Sequence, residues 1–337
     1  MRRRALPPWL RASRALALDR IASAALRRSP IIVMYHGVAA DPLPHRKFFP
    51  EDEFVAHLDA IARGFNTVSM TQIADWLEGD KPLPPRAIAL TFDDGYANLL
   101  DRAVPEMCRR GISATIYATS LSLSDAGGLL WFDEVECSLL AARDLPPTLE
   151  LAGHVFEIPR GEKRHQSVRE VVRAMKTLAH SDRERVVDAL RRAFPCDAES
   201  RRRFRLLDRD QIRALPAQGM EVGGHTARHV ILAREDAEVQ RREIVSNFDA
   251  ISALTGDRPA SFAYPNGRAE DVTPDTIRFA RDAGYRVAVT TEAGIIRRGT
   301  EPFTIPRVSA GYLGAYGLGD RLRLLPLRIA VSSWAGS

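Results

Sequence analysis

The sequence has few cysteines and no long apolar run. Only three cysteines occur among 337 residues, namely Cys108, Cys137 and Cys196. Their wide spacing and odd number suggest neither a disulfide framework nor a CxxC metal site. Near the N-terminus, Arg11 and Arg14 interrupt the chain before an apolar stretch forms that would suit a signal peptide or a bilayer span. These absences favour a protein of the reducing cytoplasm.

The body of the chain lacks a basic surplus. The net charge is +5, yet the first 30 residues alone contain eight arginines and one acidic residue, Asp19. The sequence therefore gives little reason to expect nucleic acid as a partner. The basic arm, residues 1–29, can place Leu6, Trp9 and Ile21 on one helical face. Residues 1–28 are expected either to contact the inner face of the membrane peripherally or to form a solvated arm.

Short β-branched runs alternate with amphipathic helical segments from residue 29 onward. This alternation predicts an α/β fold with a parallel sheet, and seven or eight strand–helix units favour a (β/α)7–8 barrel. The barrel is assigned to residues 30–120 and 206–315, followed by a tail at 316–337. Two helices are predicted from "TQIADWLEGD", with a threonine cap, and from "NLLDRAVPEMCRRG".

Residues 121–205 interrupt this rhythm. The stretch "WFDEVECSLLAARD" predicts a helix, "LELAGHVFEIP" a pair of strands, and the charged residues that follow two helices. The segment is interpreted as an α-rich insertion near the C-terminal mouth of the barrel.

Two adjacent carboxylates end a buried strand in "ALTFDDGY". Asp93 and Asp94 stand at the strand-to-loop turn, where both can reach one cavity. Burying two carboxylates is costly unless a cation or a set of donors compensates. The alternative is that one carboxylate caps the next helix and the other is solvated.

The stretch "GGHTARHV" offers partners for a cation. His225 and His229 are four residues apart, so both imidazoles can reach one ion if the segment starts a helical turn, and the two preceding glycines suit a tight bend. Two histidines and one carboxylate form a common ligand set for a hydrolytic metal with an open position. The alternative is a pair of surface histidines.

The motifs "TFDDG", "HTARH" and "FAYPNG", in this order, resemble those of the polysaccharide deacetylase family, carbohydrate esterase family 4 or NodB-homology domain. The resemblance covers roughly residues 30–310, apart from the insertion, and points to the exopolysaccharide-associated branch. It implies a distorted (β/α) barrel and metal-dependent hydrolysis of N-acetyl groups on sugars. It also implies Asp94, His225 and His229 as metal ligands and Asp93 as general base. The metal is expected to be divalent, with zinc favoured over cobalt, nickel and manganese.

The third motif departs from the family pattern, which reads Arg-x-Pro-aromatic. The matching stretch here is Ala263-Tyr264-Pro265-Asn266, without the arginine that orients the base and without the aromatic residue. The backbone N–H at Asn266 is still expected to serve the oxyanion of the reaction. Arg307 is the first candidate to replace the arginine and Arg268 the second; the alternative for Arg307 is a surface ion pair.

The late histidine that supplies the general acid in this family is also absent, since no histidine follows His229. A leaving amine needs a proton. His36, in "MYHGV" at the end of the first strand, resembles the N-terminal histidine motif of the exopolysaccharide-processing branch and is the candidate acid. The alternative is a buried structural histidine.

The sequence therefore predicts a metal-dependent deacetylase whose partner is an acetylated glycan, either a polysaccharide or a lipid-linked sugar. Two alternatives stay open. The altered third motif suits a catalytically weak carbohydrate-binding or assembly protein on the same scaffold. Hydrolysis of an O-acetyl ester is equally compatible with metal-assisted chemistry.

Overall fold

The computed structural model describes residues 29–41, 48–123, 128–142, 145–158 and 164–313. The predictions for the basic arm, residues 1–28, and for the tail, residues 316–337, lie outside the described residues and stay predictions. Within the described ranges, no helix combines the length and apolarity needed to cross a bilayer.

A curled, fully parallel sheet forms the centre of the molecule and confirms the α/β fold class. The strands of this sheet are β1 (Ile31–Tyr35), β4 (Asn66–Thr67), β5 (Ala87–Phe92), β6 (Thr115–Ala118), β9 (Glu221–Gly224), β10 (Ser261–Ala263), β11 (Val287–Val289) and β12 (Val308–Ser309). They follow the order β11-β10-β9-β6-β5-β1-β12, and β4 pairs with the start of β5. Two further short strands, β2 (Gly37–Ala39) and β3 (Phe48–Pro50), pair with each other.

One segment links the two edges of this sheet. Ile305 forms a bridge with Val289 on β11, and three residues later Val308 pairs with Val33 on β1. The sheet therefore curls into a distorted barrel, in which residues 305–309 lie between β11 and β1.

Helices cover the outer face of the sheet, which explains why β1 and β5 are buried along their whole length. In chain order, the α-helices of the barrel are α1 (Glu51–Gly64), α2 (Met70–Glu78), α3 (Val104–Cys108), α8 (Arg209–Ala214), α9 (Ala237–Thr255), α10 (Pro274–Ala283) and α11 (Ala310–Leu313).

Two helix predictions need correction. Helix α2 is capped by Ser69 in a capping box with Gln72, not by the predicted threonine, because the helix begins one residue before Thr71. The single helix predicted from "NLLDRAVPEMCRRG" consists of a π-helical turn, Leu99–Ala103, followed by α3, whose second residue, Pro105, lacks a backbone N–H to donate.

The insertion packs around a hydrophobic core of its own. It contains α4 (Trp131–Ala141), an antiparallel hairpin of β7 (Thr148–Leu151) and β8 (His154–Glu157), α5 (Arg164–Met175) and α6 (His180–Ala193). The helix, the strand pair and the two charged helices are all as predicted, and a third short helix, α7 (Ala198–Arg203), follows them. Apolar side chains of α4, the hairpin, α5 and α6 form this core.

The cysteine spacing suggested no disulfide framework, yet the structure contains one disulfide. Cys137 on α4 and Cys196 before α7 form a disulfide, with Cα atoms 5.5 Å apart, while Cys108 is free and exposed. The folding of the insertion brings together two cysteines separated by 59 positions. Cysteine usage therefore no longer supports a reducing compartment, and the cytoplasmic location stays a prediction.

Candidate active site

The predicted residues at the C-terminal ends of three strands face one cavity of about 700 Å³. His36 follows β1, Asp93 and Asp94 follow β5, and His225 and His229 follow β9. Parallel α/β sheets collect functional groups at this edge because all their strands end there. The insertion covers the same cavity, since side chains of α4 and α5 also line it.

A tight left-handed turn explains how both aspartates face the cavity. Asp94 has a φ of 74° and Gly95 also has a φ of 74°, in the region that residues other than glycine seldom adopt. The backbone N–H of Asp93 still donates to the Tyr35 carbonyl, 3.0 Å away, as a continuation of the β5 ladder. The reversal at Asp94 cancels the alternation that would send neighbouring strand residues to opposite faces.

Asp93 is held by a buried arginine. Arg307 donates from both terminal nitrogens to the two Asp93 carboxylate oxygens, each at 2.7 Å, and it is 1% exposed. Its remaining donors reach the Thr290 carbonyl at 2.9 Å and Thr91 Oγ1 at 3.2 Å. Burial by itself raises the pKa of Asp93, but the charge and hydrogen bonds of Arg307 outweigh it and leave the pKa below its usual value.

Asp94 faces the two histidines instead. Its Oδ1 lies 3.4 Å from His225 Nε2 and 3.2 Å from His229 Nε2. Burial raises the pKa of Asp94, but the hydrogen bonds with both imidazoles hold it well below the ordinary value. Burial lowers the pKa of both imidazoles; for His225 the Asp94 contact reverses this and the pKa is raised, whereas for His229 burial prevails.

The donor atoms of Asp94, His225 and His229 lie within 4.8 Å of one another, and all three residues are buried. His225 Nδ1 lies 2.7 Å from the Ala263 carbonyl, which leaves Nε2 as the free nitrogen toward Asp94. Two imidazoles and one carboxylate with a hydrogen bond behind a ligating ring suit a divalent cation such as zinc. The residues present therefore fit the predicted metal.

The segment that carries His225 and His229 is not helical, although the sequence argument assumed a helical turn to bring both imidazoles to one ion. Thr226 and His229 both have positive φ, 62° and 56°, so the chain makes a strained loop instead. Two residues of helix α9 support this loop: Asn247 accepts from the His225 N–H at 2.9 Å, and Glu243 accepts from the Arg228 N–H at 2.9 Å.

The two glycines before His225 serve packing rather than a bend. Both lie in β9 without positive φ. A Cβ on Gly224 would lie 1.9 Å from Tyr285 Oη, and one on Gly223 would lie 2.4 Å from the Tyr117 ring. Neighbouring side chains occupy the space that a methyl group would need.

Some of the other predicted residues line the cavity and others do not. His36 is half-buried and lines the cavity, and its charge contributes to the lowered pKa of both aspartates. Asn266 also lines the cavity, with a φ of 63°. Tyr264 and Pro265 are not among the lining residues, and the Tyr264 hydroxyl donates to the Phe303 carbonyl at 3.0 Å. Arg268 is exposed at the rim.

Sequence reasoning missed residues that the fold brings to this site. Lys176, from the insertion, donates to Asn266 Oδ1 at 2.5 Å and lines the cavity. The supporting Glu243 and Asn247 are also new; both are buried on α9, and their polar interruption of an apolar helix face was the available signal. No comparable signal marks Lys176.

Comparison with known proteins agrees with this geometry. The Polysaccharide deacetylase family model matches residues 80–288. The Bacillus subtilis protein YxkH, described as a polysaccharide deacetylase, is 20% identical over 85% of this chain and 75% of its own length. The poly-β-1,6-N-acetyl-D-glucosamine N-deacetylase of Escherichia coli K12 is 48% identical, but only over 12% of this chain and 6% of its own.

Among solved structures, IcaB from Ammonifex degensii has the same fold, with a TM-score of 0.56 and 17% identity over 88% of this chain and 97% of its own. The family model spans more than half of the chain and includes the strand ends that carry Asp93, Asp94, His225 and His229. The protein described here therefore belongs to the polysaccharide deacetylase family.

Proposed function

We propose that this protein is a metal-dependent hydrolase that removes acetyl groups from an N-acetylated glycan, with Asp93 as general base. The observation that carries the proposal is that two neighbouring carboxylates at the end of β5 have different partners. Asp94 faces two imidazoles, and Asp93, one residue away, faces an arginine. The name of the Escherichia coli relative, an N-deacetylase of an N-acetyl-glucosamine polymer, supports an N-acetylated sugar as substrate.

The ligand set is Asp94, His225 and His229. A divalent cation bound there supplies Lewis acidity toward an acetyl carbonyl and lowers the pKa of a water molecule in its coordination sphere. Asp94 contributes negative charge, and the Ala263 carbonyl keeps the His225 ring in the orientation that exposes Nε2.

Asp93 accepts the proton of the attacking water. Arg307 keeps this carboxylate ionised at neutral pH and fixes the plane of its two oxygens by a bidentate contact. The arginine missing from the third motif thus has a counterpart that arrives from another strand. This contact argues for an enzyme over the catalytically weak scaffold that the missing arginine had suggested.

His36 donates a proton to the departing amine. It follows β1 and lines the same cavity as Asp93 and Asp94, which follow β5. General acid catalysis of this kind contributes about 10²- to 10⁴-fold to the rate.

Acetate release tests the proposal. Purified protein loaded with Zn²⁺ or Co²⁺ is expected to release acetate from N-acetylglucosamine oligomers, and Asp93→Asn is expected to bind the oligomers without turnover. An O-acetylated glycan, assayed in parallel, distinguishes the amide from the ester. Absence of acetate release from every acylated glycan by metal-loaded protein would contradict the proposal.

A further inference from the structure

The wall of the cavity formed by the insertion is basic. Arg169, Arg173 and Lys176 are spaced at i, i+4 and i+7 on α5 and just beyond its end, so they follow one another along a single helix face. All three line the cavity that contains Asp93 and Asp94. They are called the α5 basic stripe below.

Among the described residues, no carboxylate forms a close ion pair with these three cations, although the charges of Asp271 and Asp94 act on Lys176 and favour its protonated form. Within the part of the chain that the structure describes, neither Arg169 nor Arg173 forms an ion pair, and the Lys176 ammonium group donates to the neutral amide oxygen of Asn266, 2.5 Å away. Lys176 is half-buried, and burial together with nearby Arg268 lowers its pKa. A partly buried cation of this kind is stabilised by an anion brought to it.

Two more arginines extend the positive charge around the rim. Arg234 and Arg268 line the cavity and are exposed, and Arg268 reaches a carboxylate only at 3.6 Å, that of Glu270.

The carboxylates of the lining are largely engaged or buried. Asp93 and Asp94 face Arg307 and the histidines, and Asp271 accepts hydrogen bonds from the Asn266 side chain and the Arg268 N–H. Glu136 is only 5% exposed. Glu270 also lines the cavity and is exposed, but it stands against the five cations Arg169, Arg173, Lys176, Arg234 and Arg268, so the accessible charge of the mouth is positive on balance.

We infer that the glycan substrate carries an anionic group, a phosphate or a carboxylate close to the acetylated sugar, and that the α5 basic stripe binds it. This inference rests on the proposed function for the identity of the reacting group. Guanidinium groups pair bidentately with phosphate and carboxylate oxygens, and a charge-assisted contact is about twice as strong as a neutral one. The stripe thus fixes the substrate while the acetyl group lies against the metal ligands.

The test compares three N-acetylated substrates on the metal-loaded enzyme: a neutral N-acetylglucosamine tetramer, uridine-diphosphate N-acetylglucosamine, and an oligosaccharide alternating N-acetylglucosamine with glucuronic acid. We expect kcat/KM to be at least about tenfold higher on an anionic substrate than on the neutral one, in line with one or two charge-assisted contacts. The two anionic substrates distinguish phosphate from carboxylate.

The double variant Arg169→Gln/Arg173→Gln should lose this preference through a higher KM for the anionic substrate. Arg192→Gln, an exposed arginine of α6 away from the cavity, is the matched control and should behave as the parent. Equal kcat/KM on neutral and anionic substrates, or an unchanged preference in the double variant, would overturn the inference while leaving the proposed function intact.

If no substrate releases acetate, the proposed function fails and binding decides the inference separately. Titration calorimetry with inorganic pyrophosphate should then show binding to the parent that weakens about tenfold in the double variant. Absence of binding, or equal binding by parent and double variant, would overturn the anion site.

Discussion

At the residue scale, the two aspartates of one turn differ because their partners differ. Arg307 offers Asp93 fixed donors at 2.7 Å, whereas His225 and His229 offer Asp94 nitrogens that can share an ion with it. Both carboxylates have a lowered pKa, so both are ionised at neutral pH. Asp93 stands outside the ligand group of Asp94, His225 and His229 and is paired with Arg307, which suits a base beside an ion.

Removing Arg307 should leave Asp93 buried without its counter-ion. We expect Arg307→Met to lower the free energy of unfolding by about 3–5 kcal/mol, the usual cost of breaking a buried pair. Urea unfolding at pH 7 measures this, and Arg268→Gln at the exposed rim is the control. A loss below about 1 kcal/mol, the range of exposed pairs, would contradict the buried-pair interpretation.

The same pair predicts a pH dependence. The pKa of Asp93 in the folded protein lies below its unfolded value of about 3.9. The stabilisation is therefore complete above the unfolded pKa and is lost as the pH falls through the folded pKa. The difference in unfolding free energy between the parent and Arg307→Met should accordingly shrink in acid; a difference that grows as the pH falls would contradict this account.

His36 and His225 should respond differently to substitution. His225→Ala should lose bound metal and activity together, whereas His36→Ala should keep the ion and lose about 10²- to 10⁴-fold in turnover of an amide substrate. Metal analysis of the purified variants and acetate release measure the two effects. Full activity of His36→Ala on an amide would show that another group donates the proton.

The sequence predicted this centre better than its surroundings. Asp93, Asp94, His225 and His229 stand in short motifs at strand ends, and strand ends of a parallel sheet meet in space. Arg307 was the first candidate for the base partner, and the structure places it there. The place of Lys176 in the site could not be predicted, because its contact with Asn266 depends on how the insertion packs over the barrel.

At the scale of elements, strand β9 and helix α9 together determine where the histidines lie. Asn247 on α9 accepts from the His225 N–H and donates to the Ala118 carbonyl, 3.1 Å away, at the end of β6. Gly224 allows this approach, since a side chain there would overlap Asn247 and Tyr285. The sequence periodicity predicted both elements, but not the contact between Asn247 and the His225 N–H. This contact supports a loop at the position where a helical turn was expected.

Gly224→Ala should therefore weaken metal binding as well as stability. The added methyl group must displace Tyr285 or the backbone next to His225, and overpacking of this kind costs about 1–3 kcal/mol. Zinc titration and urea unfolding measure both effects. Gly64→Ala, at the end of α1 with nothing within 4 Å of the new Cβ, is the control. Parent-like zinc affinity in Gly224→Ala would contradict the role assigned to this packing.

At the scale of the whole molecule, the barrel supplies the reacting groups and the insertion supplies the opposite wall. The alternating pattern predicted the barrel because each strand and helix has its own period. The disulfide between Cys137 and Cys196 was not predictable, because three widely spaced cysteines give no pairing by themselves. The positive charge of the cavity mouth was not predictable either, because it depends on how the insertion packs against the barrel.

Metal removal should affect the whole molecule. A ligand that binds only the folded state stabilises it by an amount that grows with the logarithm of its concentration relative to its Kd, so a chelator should lower Tm and abolish acetate release together. Adding Zn²⁺ back should restore both. Chelator-treated protein with full activity and an unchanged Tm would contradict a metal-dependent enzyme.

The most direct test of the account is a crystal structure of the zinc-loaded protein, with the ion located by its anomalous scattering. The account predicts a single ion in the cavity bound by Asp94, His225 Nε2 and His229 Nε2, with Asp93 outside the coordination sphere and still paired with Arg307. An ion bound elsewhere, or one bound by Asp93 in place of Asp94, would contradict it.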